Sequence, residues 1–394
     1  MTTGEAARRL GVKPETVYAY VSRGLLRRHP DSARHQSLFA REEVERLAVR
    51  ARRRDRSGAL EVVVETELTL IEPIGRLYYR GHDAVELARF RSFEQVASLL
   101  WDGGPPSPWE LEPDFEPLLA ALRPPLAGAA AADRIPAVVA LLGAADPAAA
   151  DRGAEAVRRS GARIFAAVLA GLGPAGEGPA DRGAAARLWS ALDGGDRAPS
   201  AAQRAALDAA LVLLADHELA ASTLAARVAA SAWAGPYRAV LAGLGPLGGV
   251  LHGGAGAAVE AMLDGVGGPA DVPRVLDRHL ALEMPLPGFG HRVYRGRDPR
   301  AEHLLGLLPR VAVERAEAEL LTGFAAAAEE RGAPPPNVDY ALAALVRAAR
   351  LPRGSAAAIF SFARIAGILA HALEEYAHRL RFRPRASYVG PTPS

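Results

Sequence analysis

Apolar positions recur at helical spacing along most of the chain, in segments broken by glycine and proline. The spacing predicts a helix from about residue 84, with Asp83 as its N-cap, and another over 92–101. It predicts helices almost throughout 110–234, then over 257–263, 300–308, 311–331 and 355–380. Leu207, Ala210, Leu211 and Leu214 belong to one strongly apolar stretch, 203–233. Pro334-Pro-Pro-Asn-Val-Asp339 breaks the chain and starts a helix with Asp339 in its first turn. Leu60 to Ile71 alternates in part and is rich in Val and Thr, which predicts a short strand pair. At the start, a helix over 2–10 is stopped by Gly11. A second has Pro14 near its first turn and is ended by Gly24. Two short helices joined by a tight turn make a helix-turn-helix pattern. Residues 25–39 predict a hairpin wing with a polar tip, Arg41 opens a third helix, and Arg50–Gly58 forms a polar linker.

Composition narrows the chemistry. The 394 residues suffice for a large core and more than one domain, and 49% are apolar, which fits a globular chain. With no cysteine, disulfides, thiolate nucleophiles and Cys-type metal sites are excluded, and the expected location is the cytoplasm. Lys13 is the only lysine, so Schiff-base chemistry is excluded elsewhere. No apolar run of about 18 residues lacks a charge or breaker and the first residues lack an apolar signal region, so no membrane segment is expected. Residues 1–57 carry 14 basic against 7 acidic residues, a net +7, while the whole chain is only +2. The rest is therefore −5, and the two parts are expected to meet different partners.

One stretch concentrates chemistry: Leu286-Pro-Gly-Phe-Gly-His-Arg-Val-Tyr-Arg-Gly-Arg-Asp-Pro-Arg300. Its glycines let the backbone approach a ligand, and its arginines suit carboxylates and phosphates. The surrounding cations should lower the His291 pKa, so that a neutral ring donates to a carbonyl oxygen. His252 lies in a glycine turn before a helix whose N-terminus should also keep it neutral. At the helix start, Asp339 should stay ionised and serve as a base. One carboxylate and two neutral histidines suit proton removal beside a carbonyl. No second histidine follows His217-Glu218 at zinc-protease spacing. The runs Gly171–Gly176 and Gly243–Gly248 fit G-x-G-x-x-G but follow helical segments, so they read as helix-ending glycines.

The order His217-Glu-Leu-Ala-Ala-Ser-Thr, Leu251-His-Gly-Gly-Ala, Pro287-Gly-Phe-Gly-His-Arg-Val-Tyr, Asp298-Pro-Arg300, Asn337-Val-Asp339 and Arg383-Pro-Arg resembles the citrate synthase family, as does Tyr79-Arg-Gly81. Residues 1–57 resemble the winged helix-turn-helix of the MerR and excisionase type. The resemblances imply a mainly α fold: citrate-synthase-like large and small helical domains, preceded by a small winged helix-turn-helix domain. They imply domains at 1–57 (winged helix), 58–254 and 344–394 (large domain, in two parts) and 255–343 (small domain), in a homodimer. The implied reaction condenses acetyl-CoA with oxaloacetate to citrate and CoA, with no metal and no permanently bound cofactor. Asp339 would take the methyl proton, His252 would bond the thioester oxygen, and His291 would polarise the keto group. His217, Arg300 and Arg364 would bind the oxaloacetate carboxylates, and Arg383 would reach over from the other subunit. Arg295 and the backbone of Pro287, Gly288, Phe289 and Gly290 would meet coenzyme A. Arg23, Arg27 and Arg28 would contact duplex DNA. Two other readings are a 2-methylcitrate synthase using propionyl-CoA, and a DNA-binding regulator whose synthase-like body senses a metabolite. The sequence departs from the family pattern at Ala220 and Gly256, where Asn is usual, at Gly248-Gly-Val250, and at Ile368, where Trp is frequent.

Overall fold

A computed structural model describes the chain except residues 11, 13, 23–25, 32–35, 42, 45–62, 105–108, 174–181, 196, 250–251, 281–284, 380 and 385–394. Gly11, Arg23, Gly24, the linker 50–58 and Leu251 lie outside the described residues, as does the last arginine of the Arg383-Pro-Arg motif. The chain divides into two compact units, Met1–Glu65 and Thr66–Ser394.

In the first unit, helices Thr3–Leu10 and Pro14–Ser22 precede an antiparallel hairpin of Arg28–Asp31 and Gln36–Phe39. Pro14 opens its helix where the missing N–H costs nothing. Ala6, Ala7, Val17, Leu26, Phe39 and Val44 form a small core of their own. The N-terminal ammonium donates to the Phe39 carbonyl at 2.7 Å, tying the chain start to the hairpin. Arg27 and Arg28, at the start of the wing, are exposed.

Among the described residues, the second unit is helical apart from one small antiparallel sheet, Thr69–Glu72, Arg76–Tyr79 and His82–Asp83. Of the strand pair expected within 60–71, residues 60–62 lie outside the described residues; the strand Thr69–Glu72 falls at the end of that range, and its partner follows the Pro73-Ile74-Gly75 turn. The reversal is made by Gly75, whose φ of 104° suits glycine. Asp83 caps the following helix, accepting from the Val85 and Glu86 amides at 2.8 and 3.1 Å. The two G-x-G-x-x-G runs fall at helix ends, with Gly173 and Gly248 as C-caps.

The body is organised around the helix Ser355–His378, which packs against helices 201–214, 221–231, 236–247, 131–145 and 154–172. It is long and apolar enough to cross a membrane, but 83% of its apolar window is buried among these neighbours. Phe362 meets Phe165 at 4.9 Å between ring centroids, and the Trp101 indole donates to the Ala366 carbonyl at 2.9 Å. Burial on this scale makes the helix a rigid platform for the polar groups on one of its faces.

Candidate active site

That face carries Arg364, Gly367 and His371 at i, i+3 and i+7, one above the other on the helix. All three grip the segment that follows helix Ala201–Leu214. Arg364 Nε donates to the Leu214 carbonyl at 3.0 Å, and the Gly367 amide donates to the Ala215 carbonyl at 3.0 Å. A Cβ at Gly367 would run into the Ala215 carbonyl and the Asp216 side chain, so only glycine lets the segment come this close. His371 Nε2 lies 3.3 Å from Asp216 Oδ2, which also accepts from the Thr69 hydroxyl at 2.6 Å and the Glu218 amide at 3.1 Å. Arg227 donates to His371 Nδ1 at 2.8 Å and pairs with Glu374 and Glu375. Since Nδ1 accepts, Nε2 carries the proton toward Asp216. This buried chain of polar contacts fixes the residue before His217.

The Pro287–His291 loop is tied to the start of helix Val338–Ala348. Gly290 N–H donates to the Pro335 carbonyl at 2.8 Å, Asn337 N–H to the Gly288 carbonyl at 2.8 Å, and Asn337 Nδ2 to the Gly290 carbonyl at 2.9 Å. Asn337 is also the N-cap, accepting from the Asp339 amide at 2.9 Å. Gly288 has φ 81°, and a Cβ there would stand 2.8 Å from both Tyr340 Cβ and Val259 Cγ2. This lacing brings His291 to the same place as Asp339.

His291 Nδ1 accepts from the Val293 and Tyr294 amides at 3.0 and 3.2 Å. These two amide bonds, both shorter than the 3.4 Å contact between Nε2 and Arg300 Nη2, set the ring proton of the neutral form on Nε2. Burial lowers the His291 pKa to about 4, and Arg300 adds to it. Of the cations expected to act on this ring only Arg300 does; Arg292, Arg295 and Arg297 are exposed, and Arg297 pairs with Glu329 at 2.6 Å. Arg300 is held by Asp298 through Nε at 2.9 Å and Nη2 at 2.8 Å. Asp298 also accepts from the Val338 amide at 3.0 Å, so one carboxylate sets both the arginine and the helix bearing Asp339. Burial alone would raise the Asp298 pKa, but Arg300 outweighs it and holds the carboxylate below its usual range.

His252 Nε2 lies 2.9 Å from Ser222 Oγ, and its pKa falls to about 4 through burial and then through Arg364. Burial, then Arg364, lower it, in the direction expected from the glycine turn. His217 is lowered well below the ordinary range by burial, then by Arg300, Arg364, His291 and His252. Asp339 corrects the expectation taken from its helix start. Burial pushes its carboxyl up to about 6, and Arg300 and Arg364 only moderate that rise. Its carboxyl is mostly ionised at pH 7 and titrates nearby.

Arg364 is 1% exposed, with Nη1 and Nη2 both buried and without an acceptor among the described residues. A buried guanidinium edge costs free energy unless an anion meets it. Its Cζ stands 5.0 Å from the Phe360 ring centroid. His217, His252, His291, Arg300, Asp339 and Arg364 thus form one electrostatically coupled cluster. Arg295 and Arg383 are exposed, and no described side-chain contact ties either to the cluster. Phe289 is core, its ring 5.0 Å from that of Tyr340, so it is the 287–290 backbone that borders the cluster. Sequence reading did not single out Asp216, Ser222, Tyr294, Asp298 or His371 as parts of the site. A pairing signal was present only for Asp298, two residues from Arg300; the others depend on tertiary contacts. Among the described residues no group of three or more His, Asp or Glu could hold a metal ion.

A family model described as "Citrate synthase, C-terminal domain" matches residues 59–385, and one described as "Helix-turn-helix domain" matches residues 1–50. The chain belongs to the citrate synthase family. It is 32% identical to citrate synthase 2 of Bacillus subtilis over 357 residues, covering 84% of this chain and 95% of that protein. It is 30% identical to a 2-methylcitrate synthase of Mycobacterium tuberculosis over 361 residues, covering 85% and 90%. The fold matches the Thermoplasma acidophilum citrate synthase solved with carboxymethyl coenzyme A and oxaloacetate. The TM-score is 0.70 at 27% identity, over 84% of this chain and 95% of that one.

Proposed function

We propose that this chain condenses acetyl-CoA with oxaloacetate to give citrate and free CoA. The observation that carries the reading is the unpaired, buried guanidinium edge of Arg364 beside a carboxylate with a raised pKa and two histidines with lowered ones. Asp339 removes a methyl proton of acetyl-CoA. His252, engaged by Ser222 at Nε2, offers Nδ1 to the thioester oxygen as the enol forms. The enol carbon attacks the keto carbon of oxaloacetate, and the Nε2–H of His291 stabilises the alkoxide. Water then cleaves the citryl thioester, releasing citrate and the CoA thiol. His217, Arg300 and Arg364 take the two carboxylates. Asp298 occupies Nε and Nη2 of Arg300, which leaves its third nitrogen for a substrate oxygen. Arg383, near the end of the described chain, reaches the site of the other subunit of a homodimer. Arg295 and the Pro287–Gly290 backbone receive coenzyme A. Residues 255–343 form the small domain, against a large domain built from 58–254 and 344–394.

Propionyl-CoA is the second substrate to weigh, because a 2-methylcitrate synthase is among the relatives. With equal acetyl-CoA and propionyl-CoA present, mass spectrometry of the products should show citrate in excess. An excess of 2-methylcitrate would reverse the acyl assignment.

Residues 1–57 bind duplex DNA in this reading, supported by the net +7 charge, the helix-turn-helix match and the hairpin with exposed Arg27 and Arg28 at its start. Phosphate contacts dominate such binding, so affinity should fall about 10³-fold or more between 50 and 200 mM salt if several phosphates are engaged. Replacing Arg27 and Arg28 by Gln should reduce the slope of log affinity against log salt by about 1 for each. Fluorescence anisotropy with labelled duplex checks both. Absence of binding at low salt would leave the unit as a protein-docking module.

A further inference from the structure

Tyr294 is buried at 3% exposure, between His217 and His291, in no role assigned above. Its ring centroid is 4.7 Å from that of His291 and 5.6 Å from that of His217, and the two histidine rings are 5.2 Å apart. The Arg300 guanidinium carbon stands 5.6 Å from the Tyr294 centroid, so the phenol is held by a cation already clamped by Asp298. Its hydroxyl lies 3.2 Å from His217 Nε2, and its backbone N–H donates to His291 Nδ1 at 3.2 Å.

We infer that Tyr294 is a positioning residue that sets the two histidines in opposite tautomers: its backbone fixes His291 with the proton on Nε2, and its hydroxyl fixes His217 with the proton on Nδ1. The direction of the hydroxyl bond follows from counting donors. Among the described residues, His217 Nε2 is the only hydrogen-bond partner of the phenol. If Nε2–H donated instead, the phenol proton would sit buried with no acceptor among the described residues, at the cost of an unmade hydrogen bond. The phenol also stays protonated, since burial raises its pKa to about 12. With Nε2 occupied, His217 can meet a substrate only through Nδ1–H. A donor there suits a carboxylate oxygen, whereas an unprotonated nitrogen would repel one. Two adjacent histidines with the same chemistry are thus turned to present different nitrogens to one small dianion. This proposal rests on the reading that His217 binds an oxaloacetate carboxylate.

Tyr294→Phe keeps the ring, its packing and its backbone N–H, and removes only the hydroxyl. In the full-length dimer with ¹⁵N-labelled histidine, the His217 signals are identified by their loss in His217→Asn. The wild type should show His217 with a pyridine-like Nε2 and a pyrrole-like Nδ1. In Tyr294→Phe these should exchange or average, while His291 keeps its pattern. The KM for oxaloacetate should rise about tenfold, the worth of one hydrogen bond in the site, with kcat changed less than about threefold. An unchanged His217 tautomer in Tyr294→Phe, or a wild-type His217 protonated on Nε2, would overturn the proposal. The spectrum of the free protein tests Tyr294 alone. If the tautomer changes but neither Tyr294→Phe nor His217→Asn alters oxaloacetate binding, it is the ligand role of His217 that fails.

Discussion

Asp339→Asn should lower thiol release by about 10²–10⁴-fold, the usual contribution of a positioned base, while oxaloacetate binding changes only severalfold. The substitution keeps the side-chain size and the Asn337 cap, so the loss reports the missing proton acceptor. The raised pKa also sets the pH dependence. In the wild type kcat/KM should be level above about pH 6 and fall about tenfold per unit below it, as Asp339 protonates. His252 and His291, at about 4, leave the neutral range undisturbed. The same shift makes a stability statement. The folded-state pKa lies above the unfolded value near 4, so ionising Asp339 in the folded protein costs free energy above pH 6. Asp339→Asn should therefore stabilise the fold by about 1–3 kcal/mol at pH 7, a gain that disappears as pH falls from 6 toward 4. Thermal melts at pH 7 and pH 4.5 would check this. A base that costs stability and is kept for function is the expected trade at an active site.

Arg364→Met should act in opposite directions on binding and on stability. The two guanidinium nitrogens without an acceptor among the described residues lose their role, and oxaloacetate affinity should fall about 100-fold or more, since each charge-assisted hydrogen bond contributes about 1.5–3 kcal/mol. The apoprotein should melt higher if the buried guanidinium edge with no acceptor among the described residues costs more than the lost bond to the Leu214 carbonyl, the Phe360 contact and the attraction of Asp216 and Asp339 return. Calorimetric titration and a melt of the same sample measure both effects. A variant that binds normally would remove Arg364 from the ligand set. A variant that melts lower would show that its charge is compensated in the free protein.

The sequence was most informative where chemistry and backbone constraint coincide. Gly288 and Gly290 both take positive φ, and the Pro334–Asn337 break ends in an N-cap, so both halves of the His291–Asp339 junction were visible as turns. The apolar pattern over 355–380 made that helix legible, and the alternation of helical segments and Gly/Pro breaks showed a mainly helical chain, while the fold class followed from the family resemblances. The small sheet was only partly placed, because Val62–Val64 reads as strand from composition, whereas the register is set by Gly75 and the pairing of Thr69 with Tyr79. The electrostatics were less legible. An arginine-rich loop suggested a broad cationic field, but burial and the single clamped Arg300 govern His291. A helix start suggested an easily ionised Asp339, whereas burial raises its pKa to about 6. Gly367 and His371 carry no local signal at all. Their roles arise because the chain at 214–216 passes against the central helix, a contact between positions about 150 residues apart.

The most direct test of the condensation reading follows free thiol from acetyl-CoA before and after oxaloacetate is added to the full-length protein. The expected result is negligible thiol from acetyl-CoA alone, then release of one thiol for each citrate formed, abolished in Asp339→Asn. Thiol release that does not depend on oxaloacetate, or no release with either acetyl-CoA or propionyl-CoA, would contradict it.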